Sequence, residues 1–171
     1  MPLHPMVVHF PIVFAVLIPI AMATAIIFDK KIKNRKAVWG AIVAFSAVLA
    51  LSAFVTMKLG AMEEEIVEKV VSESLIEKHE ELAELFSWST IILFVMASLA
   101  FYRDQIVFKG LALAASLAIF GMLAQTADSG GELVYKHNAG AAYAIAKAGG
   151  VNDRSPLSAY RGGEDGHDDD D

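Results

Sequence analysis

Four histidines, His4, His9, His79 and His137, are the residues of this chain best suited to chemistry. Imidazole is the commonest transition-metal ligand among side chains, a frequent axial ligand of haem iron, and a group whose charge changes near neutral pH. The chain has no cysteine, which excludes disulfides, thiolate-held iron–sulfur clusters and covalently attached c-type haem. A redox centre here needs other ligands, and histidine is the main supply. No HExxH spacing or related constellation supports zinc hydrolysis. The fifth histidine, His167, sits in the terminal GGEDGHDDDD and reads as part of a solvated tail.

The four histidines lie far apart in the chain, so only topology can bring them together. Composition leans apolar, with 56% hydrophobic residues against 20% charged. Four apolar runs cover Met6–Phe28, Val38–Leu59, Leu82–Tyr102 and Gly110–Thr126. Each is near the ~20 residues that cross a bilayer core as a helix. A soluble bundle would interleave charge with the helical period, yet 38–57 and 87–102 hold none. The expected architecture is therefore all-α: a four-helix integral membrane bundle over residues 1–150. A polar, acidic and disordered tail is expected over 151–171.

Charge orients the bundle. The connections DKKIKNRK and YRDQIVFK together carry seven basic and two acidic side chains. Those connections belong in the cytoplasm by the positive-inside rule. On the opposite side, Lys58–Glu81 holds eight Glu against three Lys. Both termini are then outside, which in a bacterium means a multi-pass inner-membrane protein with periplasmic ends. The first run lacks a basic leader and a cleavage site, so it reads as a retained span rather than a signal peptide. Nothing in this charge pattern suits nucleic acid.

With this topology all four histidines fall at the outer boundary. His4 opens the first span, and His9 lies a little over one turn deeper, rotated by about 140° at 3.6 residues per turn. His79 precedes the third span, and His137 follows the fourth. Pro11 and Pro19 leave the carbonyls of Val7 and Ala15 without helical partners, which predicts a kinked first span. Between spans two and three, Ile66, Val67, Val70 and Val71 form one stripe among glutamates, as expected of an amphipathic helix lying at the interface. Ser129-Gly130-Gly131 reads as a turn, with Glu132–His137 folding back over the bundle.

Two kinds of centre suit these ligands. Haem b takes two facing imidazoles on different helices, for which His9 and His79 are the expected axial pair. His4 and His137 then serve a second haem or support the first. Small residues on spans two and four, Gly40, Ala44, Ala114, Ala118 and Gly121 among them, permit either a macrocycle or close helix packing. Copper is the rival, because Met6, Met57 and Met62 share the outer end and thioethers suit Cu(I). Glu84, Gln125 and Asp128, near Phe86 and Trp88, form a candidate quinone and proton site. A non-redox scaffold subunit whose polar outer cap docks a partner is the third reading.

Two stretches carry a family resemblance. His4-Pro5-Met6-Val7-Val8-His9-Phe10-Pro11-Ile12 resembles the HPxxVHFPI opening of bacterial integral membrane proteins known only as a domain of unknown function. Gly130-Gly131-Glu132-Leu133-Val134-Tyr135-Lys136-His137 is similar to that family's GGxLVYxHG ending, with Asn138 in place of the final glycine. His79 matches the family's histidine before the third span. The resemblance covers roughly residues 3–145 and implies a four-span protein, often encoded with or fused to cytochrome c-type domains. That setting moves the balance from copper toward haem. The resulting expectation is an electron-transfer subunit binding one or two haem b groups. It would act between the quinone pool and a periplasmic c-type cytochrome or larger redox complex.

Overall fold

The structure, a computed structural model, describes residues 3–147. It is all-helical over that range: α1 (His4–Val7), α2 (His9–Ile27), α3 (Arg35–Val67), α4 (Glu73–Arg103), α5 (Ile106–Tyr135) and α6 (Ala139–Lys147). Four helical stretches are long and apolar enough to cross a membrane, the first being α1 and α2 together. The acidic tail and His167 lie outside the described residues.

Burial runs in the direction a bilayer selects. Large apolar side chains such as Phe10, Leu51, Ile92 and Leu117 face outward. The interior mixes apolar side chains such as Ile18, Leu49 and Leu93 with small and hydroxylated residues, including Ser46, Ser87, Thr90, Ser116, Ala97 and Ala112. Without water to drive apolar groups inward, packing favours small residues that let helices approach. Apart from Thr56, the buried hydroxyls donate to carbonyls of their own helices, as Ser46 does to Ile42 and Ser87 to Ala83. An unpaired hydroxyl in hydrocarbon would be costly.

Three local expectations change in three dimensions. The first span is interrupted, as the prolines predict, but at Val8, between α1 and α2. Pro11 falls in the first turn of α2, where its missing N–H costs least. No separate interfacial helix forms between spans two and three: α3 continues through Glu63, Glu64 and Glu65 to Val67, and α4 begins at Glu73. The valine stripe instead builds a small second core, in which Val71, Ile76, Leu133 and Ala139 are buried with Val67 and Val70 packed against them. Burying that stripe against neighbouring helices satisfies it better than laying it in a lipid headgroup layer. Ser129-Gly130-Gly131 is not a turn either, because α5 runs through it to Tyr135. The reversal comes later, at Asn138, whose φ of 55° is left-handed, and α6 then packs back on α3 and α5.

At the other end of the bundle, Lys109 lies in the first turn of α5 and is only 3% exposed. Its Nζ pairs with Asp29 Oδ1 at 3.0 Å and Asp104 Oδ1 at 2.6 Å, and sits 5.6 Å from the Trp39 ring centroid. Asp29 also accepts from Arg35 at 2.9 Å. Lys109 and then Arg35 hold the Asp29 carboxyl below the usual carboxylate range. One buried ammonium thus ties together the α2–α3 connection, the α4–α5 turn and α3.

Candidate functional site

His4 and His79 meet at one end of the bundle, where α1 and the start of α4 converge with the far ends of α3 and α5. Their ring centroids are 6.3 Å apart and their planes nearly perpendicular, at 84°. Each ring is held from behind. His4 Nδ1 lies 2.9 Å from the Thr56 carbonyl on α3, and His79 Nδ1 lies 2.8 Å from Ser129 Oγ on α5.

The partner of His4 assigns its tautomer: a carbonyl only accepts, so Nδ1 carries the proton and Nε2 the lone pair of the neutral ring. Ser129 Oγ also lies 2.9 Å from the Thr126 carbonyl; when it gives that carbonyl its one proton, it accepts from His79 Nδ1 and leaves Nε2 of that ring with its lone pair. A hydrogen bond at one ring nitrogen that leaves the other free to ligate is how proteins orient metal-binding imidazoles.

The surrounding chain is shaped to these rings. Glu63 Oε1 accepts from the backbone N–H groups of Leu3 and His4, fixing the start of α1 against α3. Its Oε2 accepts from the Tyr143 hydroxyl at 2.6 Å, which locks α6 over the same point. Burial, and the Glu63 carboxylate beside it, push the Tyr143 phenol well above its ordinary range. Gly60 and Gly130 clear the approach: an added Cβ would lie 3.1 Å from His4 Nδ1 at the first and 3.0 Å from His79 Cε1 at the second. Gly130 is therefore present for close contact inside a helix, not for a turn.

Two cavities flank the pair and share His4, Pro5, His79, Gly130 and Val134 as walls. One, about 400 Å³, runs into the bundle past Ile12, Ala53, Phe86 and Leu123. The other, about 410 Å³, runs toward α6 past Val67, Ile76 and Leu133 and is edged by Glu63, Glu64 and Glu80. The buried Thr56 hydroxyl has no hydrogen-bond partner, and Thr56 lines the first cavity.

The remaining candidates lie elsewhere. His9 is exposed on α2 and lines neither cavity, so the partner that faces His79 is His4 rather than His9. The break at Val8 and the rotation between positions 4 and 9 send the two side chains apart. His137 is half-buried just past α5 and also lines neither cavity. Glu84 is exposed on α4, accepting from Trp88 Nε1 at 3.4 Å, and Gln125 and Asp128 are exposed on α5. This trio does not converge on the pocket. Among the methionines, Met57 lines the inner cavity with both histidines, whereas Met6 and Met62 are 61% and 76% exposed. Among the described residues, no group of three His, Asp or Glu is placed to hold an ion.

The residues that sequence reasoning did not assign to the site fall on common helical faces. Thr56, Gly60 and Glu63 fall at i, i+4 and i+7 on α3, and Thr126, Ser129 and Gly130 at i, i+3 and i+4 on α5. That spacing is visible in the sequence, but only the known position of His4 and His79 singles out those faces.

A four-span membrane bundle with a paired-imidazole pocket at one end is the class that fold and site define. The chain matches, over residues 1–143, a family described as predicted membrane protein (DUF2231), and it belongs to that family. No curated protein and no solved structure matches it.

Proposed function

We propose that this protein is a membrane electron-transfer subunit in which His4 and His79 are the axial ligands of a haem b. It passes electrons between the quinone pool and a periplasmic c-type cytochrome or larger redox complex. The observation that carries the reading is the pairing of two imidazoles, 6.3 Å between centroids, each bonded through Nδ1 to a neighbouring helix. Two protein ligands also suffice for an iron whose other four come from a porphyrin. The two cavities that both rings border would have to hold the porphyrin. Their apolar walls suit its hydrocarbon face.

A second reading, copper held by His4, His79 and Met57, draws on two features. Met57 borders the cavity between the rings and the bundle interior, and the outer cavity is edged by Glu63, Glu64 and Glu80 with no basic residue in its wall. Carboxylates there favour a cation and disfavour the propionates of a porphyrin.

A dithionite-reduced minus oxidised spectrum of the full chain, purified from haem-replete cells, separates the two. Sharp α and Soret bands lost in His4→Ala and His79→Ala, but kept in Met57→Leu, support haem. A featureless spectrum from folded protein rejects it. Stoichiometric copper that falls with Met57→Leu supports the second reading.

A further inference from the structure

The end of the bundle opposite the histidines holds a separate concavity of about 580 Å³, between the α2–α3 connection and the start of α5. It is amphipathic in layers. Ile27 and Ile106, 73% and 65% exposed, form an apolar lower edge on the bilayer side, while Lys30, Lys31 and Arg35 line the polar part. Asp29 and Asp104 also line it, but they are already engaged: Asp29 with Lys109 and Arg35, Asp104 with Lys109. Two acids against two bases close that network on itself. Lys30 and Lys31 are left with no ion-pair partner among the described residues, and Lys31 Nζ is placed 5.7 Å from the Phe28 ring. Arg35 commits Nη1 to Asp29 but has four further N–H donors on a side chain that is 50% exposed.

We propose that this concavity binds an anionic glycerophospholipid. Its phosphate lies among Lys30, Lys31 and Arg35, and its acyl chains run along Ile27 and Ile106. The uncompensated charge of the wall is two positive, which complements a phosphodiester. A zwitterionic headgroup brings an ammonium to the same lysines and gains less. Inorganic phosphate has the charge but nothing to place against the isoleucines. Basic pockets between transmembrane helices at the positively charged side of a bundle are suited to such headgroups. The buried Lys109 gives this one a rigid back wall. The inference does not depend on the histidine pair.

The loop supplies its own control, since Lys33 carries the same charge in the same connection but does not line the concavity. The test is native mass spectrometry of the detergent-purified full chain titrated with phosphatidylglycerol or phosphatidylcholine. Phosphatidylglycerol is expected to be retained in preference. Removing a surface lysine from an anionic-lipid site weakens binding roughly fivefold. The double variant Lys30→Gln/Lys31→Gln should therefore lose more than tenfold, Lys33→Gln less than twofold, and Lys30→Arg/Lys31→Arg should regain binding. Equal losses for Lys33→Gln and the double variant would reduce the effect to general surface charge and overturn the proposal. Equal retention of the two lipids, or full displacement by inorganic phosphate, would overturn it too. Because positions 30 and 31 are exposed, the variants should keep the parent's melting temperature, and the Arg pair separates lost charge from lost fold.

Discussion

Gly130→Ala tests the histidine pair most directly, because the same helix contains its control. A methyl group at 130 would lie 3.0 Å from His79 Cε1, 3.5 Å from Nδ1 and 3.6 Å from Nε2. Carbon pairs settle at about 3.5–4.0 Å, so the ring or α5 must retreat by roughly 0.5 Å. The ring's Nδ1 bond to Ser129 is 2.8 Å, and a retreat of that size stretches it toward the limit of a useful hydrogen bond. Metal sites tolerate about ±0.2 Å at each ligand, and disturbing an orienting partner costs roughly 10- to 100-fold in affinity. Overpacking costs about 1–3 kcal/mol, partly offset by the ~1 kcal/mol that Ala gains over Gly inside a helix. At Gly131 the added methyl would meet only Tyr135 Cδ2, at an ordinary 3.9 Å. Gly131→Ala should therefore raise the melting temperature slightly and keep the centre. Gly130→Ala should fold but hold its haem or copper at least tenfold more weakly. The assay is cofactor occupancy per folded protein over a dilution series, beside thermal melts. If Gly130→Ala keeps full occupancy with an unchanged spectrum, His79 is not a ligand and the reading fails.

Further outcomes follow from the same geometry. His9→Ala should leave occupancy unchanged while His4→Ala abolishes it, and the reverse result in reduced-minus-oxidised spectra would reassign the pair. Ser129→Ala removes the hydrogen-bond partner of His79 Nδ1, so affinity should fall roughly tenfold with little change in melting temperature, and a measured loss below twofold would show that this bond does not orient the ring. At Asp29 the folded carboxyl titrates below its unfolded value, about 3.9. The Lys109 and Arg35 pairings therefore stabilise above that pH and are lost as pH falls through the lowered folded value. Melting temperature should drop in that acid window, and Asp29→Asn should lose that part of the dependence. The Tyr143 phenol behaves oppositely, its folded value being raised, so its bond to Glu63 holds through the ordinary phenol range and fails only at higher pH. Absorbance at 295 nm should rise by the same amount in Tyr143→Phe and the parent up to about pH 11.

The two end stretches of the chain divide once the site is in view. Gly130 near the far end is a steric clearance for His79, and His4 near the start is that ring's partner. His9 and His137, which the sequence presents with equal weight, lie outside the pocket. Spacing alone could not make this distinction, since it depends on where the first span breaks and how far α5 extends.

What the sequence determined by itself is the membrane-spanning helical architecture. Hydropathy is a sum over some twenty neighbours, and each span satisfies its own backbone hydrogen bonds, so no distant residue is needed to specify it. Histidines at one end of the bundle follow from the order of those spans. Pairing is another matter. His4 faces His79, rather than His9 doing so, because Glu63 fastens the first turn to α3 from 59 positions away along the chain. Lys109 reads as one more loop cation until three chain segments close around it. Such contacts depend on helix rotation and depth, which packing decides collectively, and only the tertiary structure makes that choice.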